Sequence, residues 1–233
     1  MKNFLFDVDG TLTPARETIK DEFASFFINW FSFRKHKGDN VYLVTGSDKD
    51  KTVWQVGKQI WLSVDGCYQN SGNQLYKQGE LVKESDWQMS ADLHLDILEL
   101  LESSKWYGIA ETNIEERVGM VNISTVGRGA DRFLRKKYFE WDKINKERYN
   151  ICRALSNKYK NLHCSIGGEI SIDIHLKGKD KSQVLRDMSG KTVFFGDRCV
   201  VAGNDYIIAS ESDKYFHVKD FEETWNILRN EYK

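Results

Sequence analysis

A single proline, Pro14, stands in the 233-residue chain, with no low-complexity stretch and no internal repeat. A long disordered linker is therefore not expected. No apolar run approaches the roughly 20 residues that a bilayer-spanning helix needs. The first residues, Met1 to Asp9, pass straight into a strand-like pattern with acidic residues and lack the layout of a secretory signal. Cysteine is scarce as well. Cys67, Cys152, Cys164 and Cys199 form no C-x-x-C pair and no zinc spacing, so they read as reduced thiols in a cytoplasmic protein. The formal net charge is only −1, which excludes a global basic field for nucleic acid or an anionic membrane. Anion binding has to come from local clusters.

What is present is a pattern of buried strands and helices. Asn3-Phe4-Leu5-Phe6 is a short apolar run that stops at Asp7. Helical rows of Phe23, Phe26, Phe27, Trp30 and Phe31 predict a helix over about 18–37. Val41-Tyr42-Leu43-Val44 is a second buried strand, and a helix over about 49–62 follows. Strand, helix, strand, helix is the pattern of a parallel sheet covered on both faces. The pattern then changes. A hairpin is expected around Lys77-Gln78-Gly79, a helix over about 89–103, a strand over 118–124, one long charged helix over about 130–160, and two short strands near 163–166 and 170–174. The parallel pattern resumes with a helical turn at 182–187, a buried strand at 192–195, a short strand at 214–218 and a closing helix over 221–232. The fold class expected is α/β: a parallel-sheet core formed by 1–80 and 179–233, with 81–178 inserted as an α+β lid of antiparallel strands and helices.

In open parallel sheets ligands sit at the carboxyl ends of the strands. Four such ends carry reactive groups here: Asp7-Val8-Asp9-Gly10-Thr11, then Thr45-Gly46-Ser47-Asp48, then Lys181 at the start of a helical turn, then Asp197 followed by Asn204-Asp205. These residue types suit phosphoryl transfer. The Asp7 carboxylate can attack phosphorus to give an acyl phosphate. Carboxylates also hold Mg²⁺ through hard oxygen ligands, and the metal neutralises charge between nucleophile and phosphate. Asp9, two residues on, can protonate the leaving oxygen and then take a proton from the incoming hydroxyl. Thr45 or Ser47 can bond a phosphate oxygen, and Lys181 can offset its charge.

Asp7-Val8-Asp9-Gly10-Thr11-Leu12-Thr13 together with Gly196-Asp197 resembles the haloacid dehalogenase superfamily. The likeness extends along the chain. Asp7 to Arg16, Val121 to Arg128, Gly167 to Asp173 followed by Lys177 to Lys181, and Phe194 to Asp197 with Ala202-Gly203-Asn204-Asp205-Tyr206 all resemble the eukaryotic-type α-phosphomannomutases, in family order. Three segments depart from that pattern: Thr45 and Thr125-Val126 replace the family's residues, and Gln69-Asn70-Ser71-Gly72 stands where the family has Pro-Glu-Asn-Gly.

The resemblance implies a Rossmann-like core with an inserted α+β cap that grips a sugar phosphate. It implies Asp7 as nucleophile and Asp9 as general acid/base. The implied Mg²⁺ ligands are Asp7, the Asp9 carbonyl, Asp197 and Asn204 or Asp205. The implied substrate contacts are Arg16 in the core and Arg117, Arg128, Arg135, Ser171 and Asp173 in the cap. Arginine suits a distal phosphate because its planar fork gives two parallel donors. The activity expected is interconversion of mannose 6-phosphate and mannose 1-phosphate through a hexose bisphosphate. A sugar-phosphate phosphatase using the same Asp7 and Asp9 is the alternative, and a non-catalytic binding protein on this fold is a third reading. A homodimer through the cap is implied by the family; no nucleic-acid or membrane partner is expected.

Overall fold

The computed structural model describes residues 1–108, 113–201 and 203–232. Two compact units make up the chain: Met1–Ser85 with Lys179–Lys233, and Asp86–Gly178.

The first unit is built on a seven-stranded sheet. Its strands are β1 (Lys2–Phe6), β2 (Asn40–Val44), β3 (Gly66–Gln69), β4 (Gln74–Lys77), β5 (Glu80–Glu84), β10 (Lys191–Gly196) and β11 (Lys214–His217), in the order β11-β10-β1-β2-β3-β4-β5. Pairing is parallel from β11 to β3 and antiparallel from β3 to β5. The boundary expected at 80/81 falls instead at 85/86, because β5 pairs with β4 and so belongs to this sheet.

Side chains alternate across each strand. Phe4, Phe6, Val193 and Phe195 face a core shared with α1 (Asp21–His36), α2 (Lys49–Ser63) and α7 (Phe221–Glu231). Leu5 and Phe194 face the other side, where Val184 of a 3-10 turn (Lys181–Asp187) and Ile208 of α6 (Tyr206–Glu211) cover them. Helix α1 places Phe23, Phe27, Trp30 and Phe31 on its sheet face, with Asp21 and Glu22 in the first turn and Arg34 to His36 in the last, as the helix dipole favours. Each buried aromatic contributes about 1.5–3 kcal/mol by area. The register matters for function. Phe6 lies beside Phe195 of β10 and Leu43 of β2, so Asp7, Asp197 and Thr45 leave the sheet on the same edge.

The second unit has a four-stranded antiparallel sheet of β6 (Ile114–Arg117), β7 (Met120–Ile123), β8 (Leu162–Gly167) and β9 (Ser171–Leu176), ordered β6-β7-β9-β8. Val121, Ile123, Ile172 and Ile174 pack against Leu93 and Ile97 of α3 (Ala91–Glu102) and Ile151 and Leu155 of α5 (Glu147–Lys158). The period of two then puts Asn122, Ser171 and Asp173 on the opposite sheet face.

The single helix expected over 130–160 is two helices, α4 (Arg132–Asn145) and α5. Lys146 between them is left-handed, φ 56°, which no α-helix continues through. Asp142 of α4 accepts Arg148 N at 2.9 Å and Arg148 Nε at 2.8 Å, so the end of one helix caps the start of the next. Among the described residues, no helix is long and apolar enough to cross a membrane.

Candidate active site

Asp7 follows the last residue of β1, and its backbone N–H donates to the Phe195 carbonyl at 2.9 Å. The side chain is buried. Lys181 Nζ donates to Asp7 Oδ1 at 2.5 Å and to Asp205 Oδ1 at 2.7 Å, and the lysine is itself buried. Asp7, Asp197 and Asp205 each offer an oxygen, and these oxygens lie within 4.8 Å of one another. Burial pushes Asp7 well above the ordinary carboxylate range; Lys181 opposes this, while Asp205 and Asp197 add to it. Burial, reinforced by Asp205, raises Asp197 to about 6. For Lys181, burial disfavours the charge, but Asp205 and Asp7 outweigh it and hold the ammonium protonated.

Two glycines admit this crowding. A Cβ on Gly10 would lie 2.7 Å from Asp197 Oδ2, and Gly10 has φ +90°. A Cβ on Gly196 would lie 2.6 Å from Asp205 Oδ2. Both positions exclude a side chain, the first on backbone grounds too.

Asp9 is held differently. Its Oδ1 accepts Arg16 N at 2.5 Å and Gln55 Nε2 at 3.1 Å, and its Oδ2 accepts Lys51 Nζ at 3.2 Å. Burial works to raise its pKa, but Lys51, the Arg16 N–H and Gln55 outweigh that and hold it below the usual value. Arg16, expected as a substrate contact, takes part here through its main chain. Thr45 and Ser47 are both buried, and Thr45 Oγ1 accepts Ser47 N at 3.1 Å. The loop after β3 closes on them: Ser71 N donates to Thr45 O at 2.9 Å and Asn70 N to Ser47 O at 3.0 Å. Gln183, two residues after Lys181, donates to the Ser71 carbonyl at 2.8 Å.

The second unit gathers its own polar group. Glu115 accepts Arg117 Nε at 2.9 Å and Arg128 Nε at 2.8 Å. Arg128 Nη1 donates to Ser171 Oγ at 3.1 Å, and Asn122 Nδ2 to Asp173 Oδ1 at 2.6 Å. Arg135 is buried in α4 and donates to the carbonyls of Ala130 at 2.7 Å and Arg128 at 2.5 Å. It therefore fastens the segment that carries Arg128, a bonding role that its sequence position did not suggest.

The profile of the family described as eukaryotic phosphomannomutase matches residues 29–233. A phosphomannomutase from Oryza sativa subsp. indica is 35% identical over 222 residues, covering 90% of this chain and 86% of that protein. The chain belongs to the eukaryotic phosphomannomutase family. It is thus an enzyme of the phosphotransferase and isomerase type. A phosphomannomutase from Encephalitozoon cuniculi is similar to the same degree, 35% over 225 residues, covering 90% of this chain and 85% of that one. In fold the chain is like a solved sugar phosphatase of subclass IIB of the HAD superfamily, with TM-score 0.60, 14% identity and 98% of each chain covered. The chain thus shares that structure's fold, an α/β unit with a mostly parallel sheet and a separate antiparallel-sheet unit.

The donors of the acidic cluster suit a metal ion. Three carboxylates face the Lys181 ammonium and, 3.8 Å from Asp197, the half-exposed Arg198 guanidinium, so negative charge is still in excess, and all the donors are hard oxygens. Asn204 Oδ1 and Thr11 Oγ1 are buried without a hydrogen-bond partner, which leaves oxygen acceptors beside the carboxylate-bearing segments. Asp205 is the member of the Asn204-Asp205 pair that brings a carboxylate into the cluster. Ala202 of the same motif lies outside the described residues.

Sequence reasoning missed Lys51, Gln55, Glu115 and Asn122. The first two lie four apart on one face of a helix capped by Asp48, whose side chain accepts Lys51 N at 2.8 Å, but nothing in the sequence sets that face against the loop bearing Asp9. Glu115 had no signal either, because β6 reads Ile-Glu-Glu-Arg, with no apolar alternation to mark it as a strand.

Proposed function

We propose that this protein interconverts mannose 6-phosphate and mannose 1-phosphate, with the phosphoryl group carried on Asp7. The observation that supports this most is the buried Asp7 carboxylate, gripped by Lys181 at 2.5 Å beside Asp197 and Asp205. A nucleophile so placed is oriented for attack on phosphorus. The bond from phosphorus to the sugar oxygen breaks as the Asp7–phosphorus bond forms, and Asp9 supplies the proton to the departing oxygen. Asp9 later takes the proton from the other sugar hydroxyl as the phosphoryl group moves on, by way of a hexose bisphosphate. Asp7, the Asp9 carbonyl, Asp197, Asp205 and Asn204 are the proposed holders of Mg²⁺, which screens charge between carboxylate and phosphate when bound. Thr45 and Ser47 bond phosphate oxygens. Lys181 balances charge at the base of the site.

In the second unit, Arg117, Arg128, Ser171 and Asp173 are the proposed contacts to the sugar and its distal phosphate, with Arg135 holding Arg128 in place. Arg16 of the first unit is also a proposed substrate contact. All four cysteines are free thiols, which supports a reducing, cytoplasmic setting. A coupled assay with mannose 1-phosphate, with and without a hexose 1,6-bisphosphate, tests the proposal. Isomerisation is expected; its absence under both conditions overturns the reading.

The sugar phosphatase that shares the fold supports a second reading, hydrolysis of a sugar phosphate by the same Asp7 and Asp9. Inorganic phosphate released faster than the isomer forms would select it.

A further inference from the structure

The turn that follows β3 holds three residues left-handed in succession: φ is 49° at Asn70, 59° at Ser71 and 90° at Gly72. Glycine takes such backbone freely, whereas serine takes it at a conformational cost that persists only where the surroundings enforce it. Ser71 is enforced from both sides. Its N–H donates to the Thr45 carbonyl at 2.9 Å, and its carbonyl accepts Gln183 Nε2 at 2.8 Å. Gln183 is buried, stands two residues beyond the lysine that holds Asp7, and donates also to the Lys179 carbonyl at 3.0 Å. These bonds to Ser71 all run through its main chain, so a glycine would make every one of them without strain. What the serine adds is a hydroxyl. The residue is 8% exposed, and among the described residues its hydroxyl makes no hydrogen bond. It stands against Gly46, where an added Cβ would meet Ser71 Oγ at 3.7 Å. Gly46 lies between Thr45 and Ser47, the two proposed contacts to phosphate oxygens. A buried polar group without a protein partner calls for one from outside.

We propose that Ser71 is a third hydroxyl contact to the phosphoryl group, donating from Oγ to a phosphate oxygen beside Thr45 and Ser47. The strained serine stands where glycine would fit because its hydroxyl binds the ligand. A hydroxyl suits this place. Its proton rotates to meet whichever phosphate oxygen is nearest, and it brings no charge to a site already crowded by Asp7, Asp197 and Asp205. Gln183 is the positioning residue: by holding the Ser71 carbonyl it fixes the turn at the height of Gly46. This inference rests on the reading of the Asp7 site as one for phosphoryl transfer, and not on which sugar is turned over.

The test uses the full chain with Mg²⁺ and inorganic phosphate as the probe. Wild type, Ser71→Gly and Ser71→Ala are titrated with phosphate by calorimetry, and each is melted without ligand. Ser71→Gly removes the hydroxyl and the backbone strain together; Ser71→Ala removes the hydroxyl and keeps the strain. Both should bind phosphate about tenfold more weakly than wild type, the size expected for a hydrogen bond to a charged group. The unliganded Tm of Ser71→Gly should equal or exceed that of wild type, which a merely structural serine would not allow. Phosphate affinity within twofold of wild type in either variant overturns the proposal. So does a lower Tm in Ser71→Gly, or a wild type that binds no phosphate. Weakened binding in both variants of a chain whose wild type never isomerises mannose 1-phosphate would keep the role of Ser71 and remove the mutase reading instead.

Discussion

Lys181 and Asp205 form an ion pair at 2.7 Å in which neither side chain is more than 1% exposed. The same ammonium holds Asp7 at 2.5 Å, so one buried cation serves two carboxylates from different strand ends. Removing it leaves both acids buried without their bonded cation, Asp205 keeping only the Arg198 N–H at 3.2 Å. Lys181→Met is expected to destabilise the metal-free protein by about 3–5 kcal/mol and to abolish turnover. Urea unfolding with and without Mg²⁺ checks this. Added Mg²⁺ should recover part of the lost stability, because a second cation relieves the same carboxylates.

The excess acidity of the cluster predicts metal-linked stability. Asp7 sits well above the ordinary carboxylate range, and Asp197 is raised to about 6, so each is ionised at a cost that a cation removes. Free Mg²⁺ at 100 times its dissociation constant should stabilise the protein by about 2.7 kcal/mol. Thermal unfolding in Mg²⁺ and in a chelator measures the difference. Asp197→Asn should lose most of it.

Glu115 predicts an acid limit for the second unit. Burial would raise its pKa, but the hydrogen bond and charge of Arg117, followed by Arg128, hold it below its ordinary 4.5. A carboxylate depressed in the folded state stabilises the fold above its unfolded pKa, and that contribution is lost as pH falls through the folded value. Stability should therefore fall below about pH 4.5, and Glu115→Gln should flatten that part of the profile. Circular-dichroism melts of both proteins across this range give the comparison. The side chain is about a third exposed, so the effect is small at high salt.

Much of the first unit could be read from its residues. Asn3 to Phe6 and Thr192 to Phe195 are apolar runs stopped by an aspartate or by Gly-Asp, and a strand buried on both faces has that signature. Strand β3 was not legible, because Gly66-Cys67-Tyr68-Gln69 carries neither a long apolar run nor alternation; its burial comes from β2 and β4 on either side. The break at Lys146 was hidden for a similar reason. A lysine gives no sign of a left-handed backbone, and the bonds that explain it run from Asp142 to Arg148. In the site, Asp7, Asp197 and Lys181 were marked by position at the ends of strands or turns. Lys51 and Gln55 were not, since one lysine and one glutamine on a helix look like solvated surface until the loop bearing Asp9 is laid against them.

The chemistry assigned to Asp7 is tested most directly by locating the phosphoryl group. Wild-type protein and Asp7→Asn are incubated with hexose 1,6-bisphosphate and Mg²⁺, quenched in acid and digested, and the labelled peptide is sequenced by mass spectrometry. The account predicts one acid-stable, base-labile phosphoryl group per chain, on Asp7, and none in Asp7→Asn. Label on any other residue, or isomerisation surviving in Asp7→Asn, would contradict it.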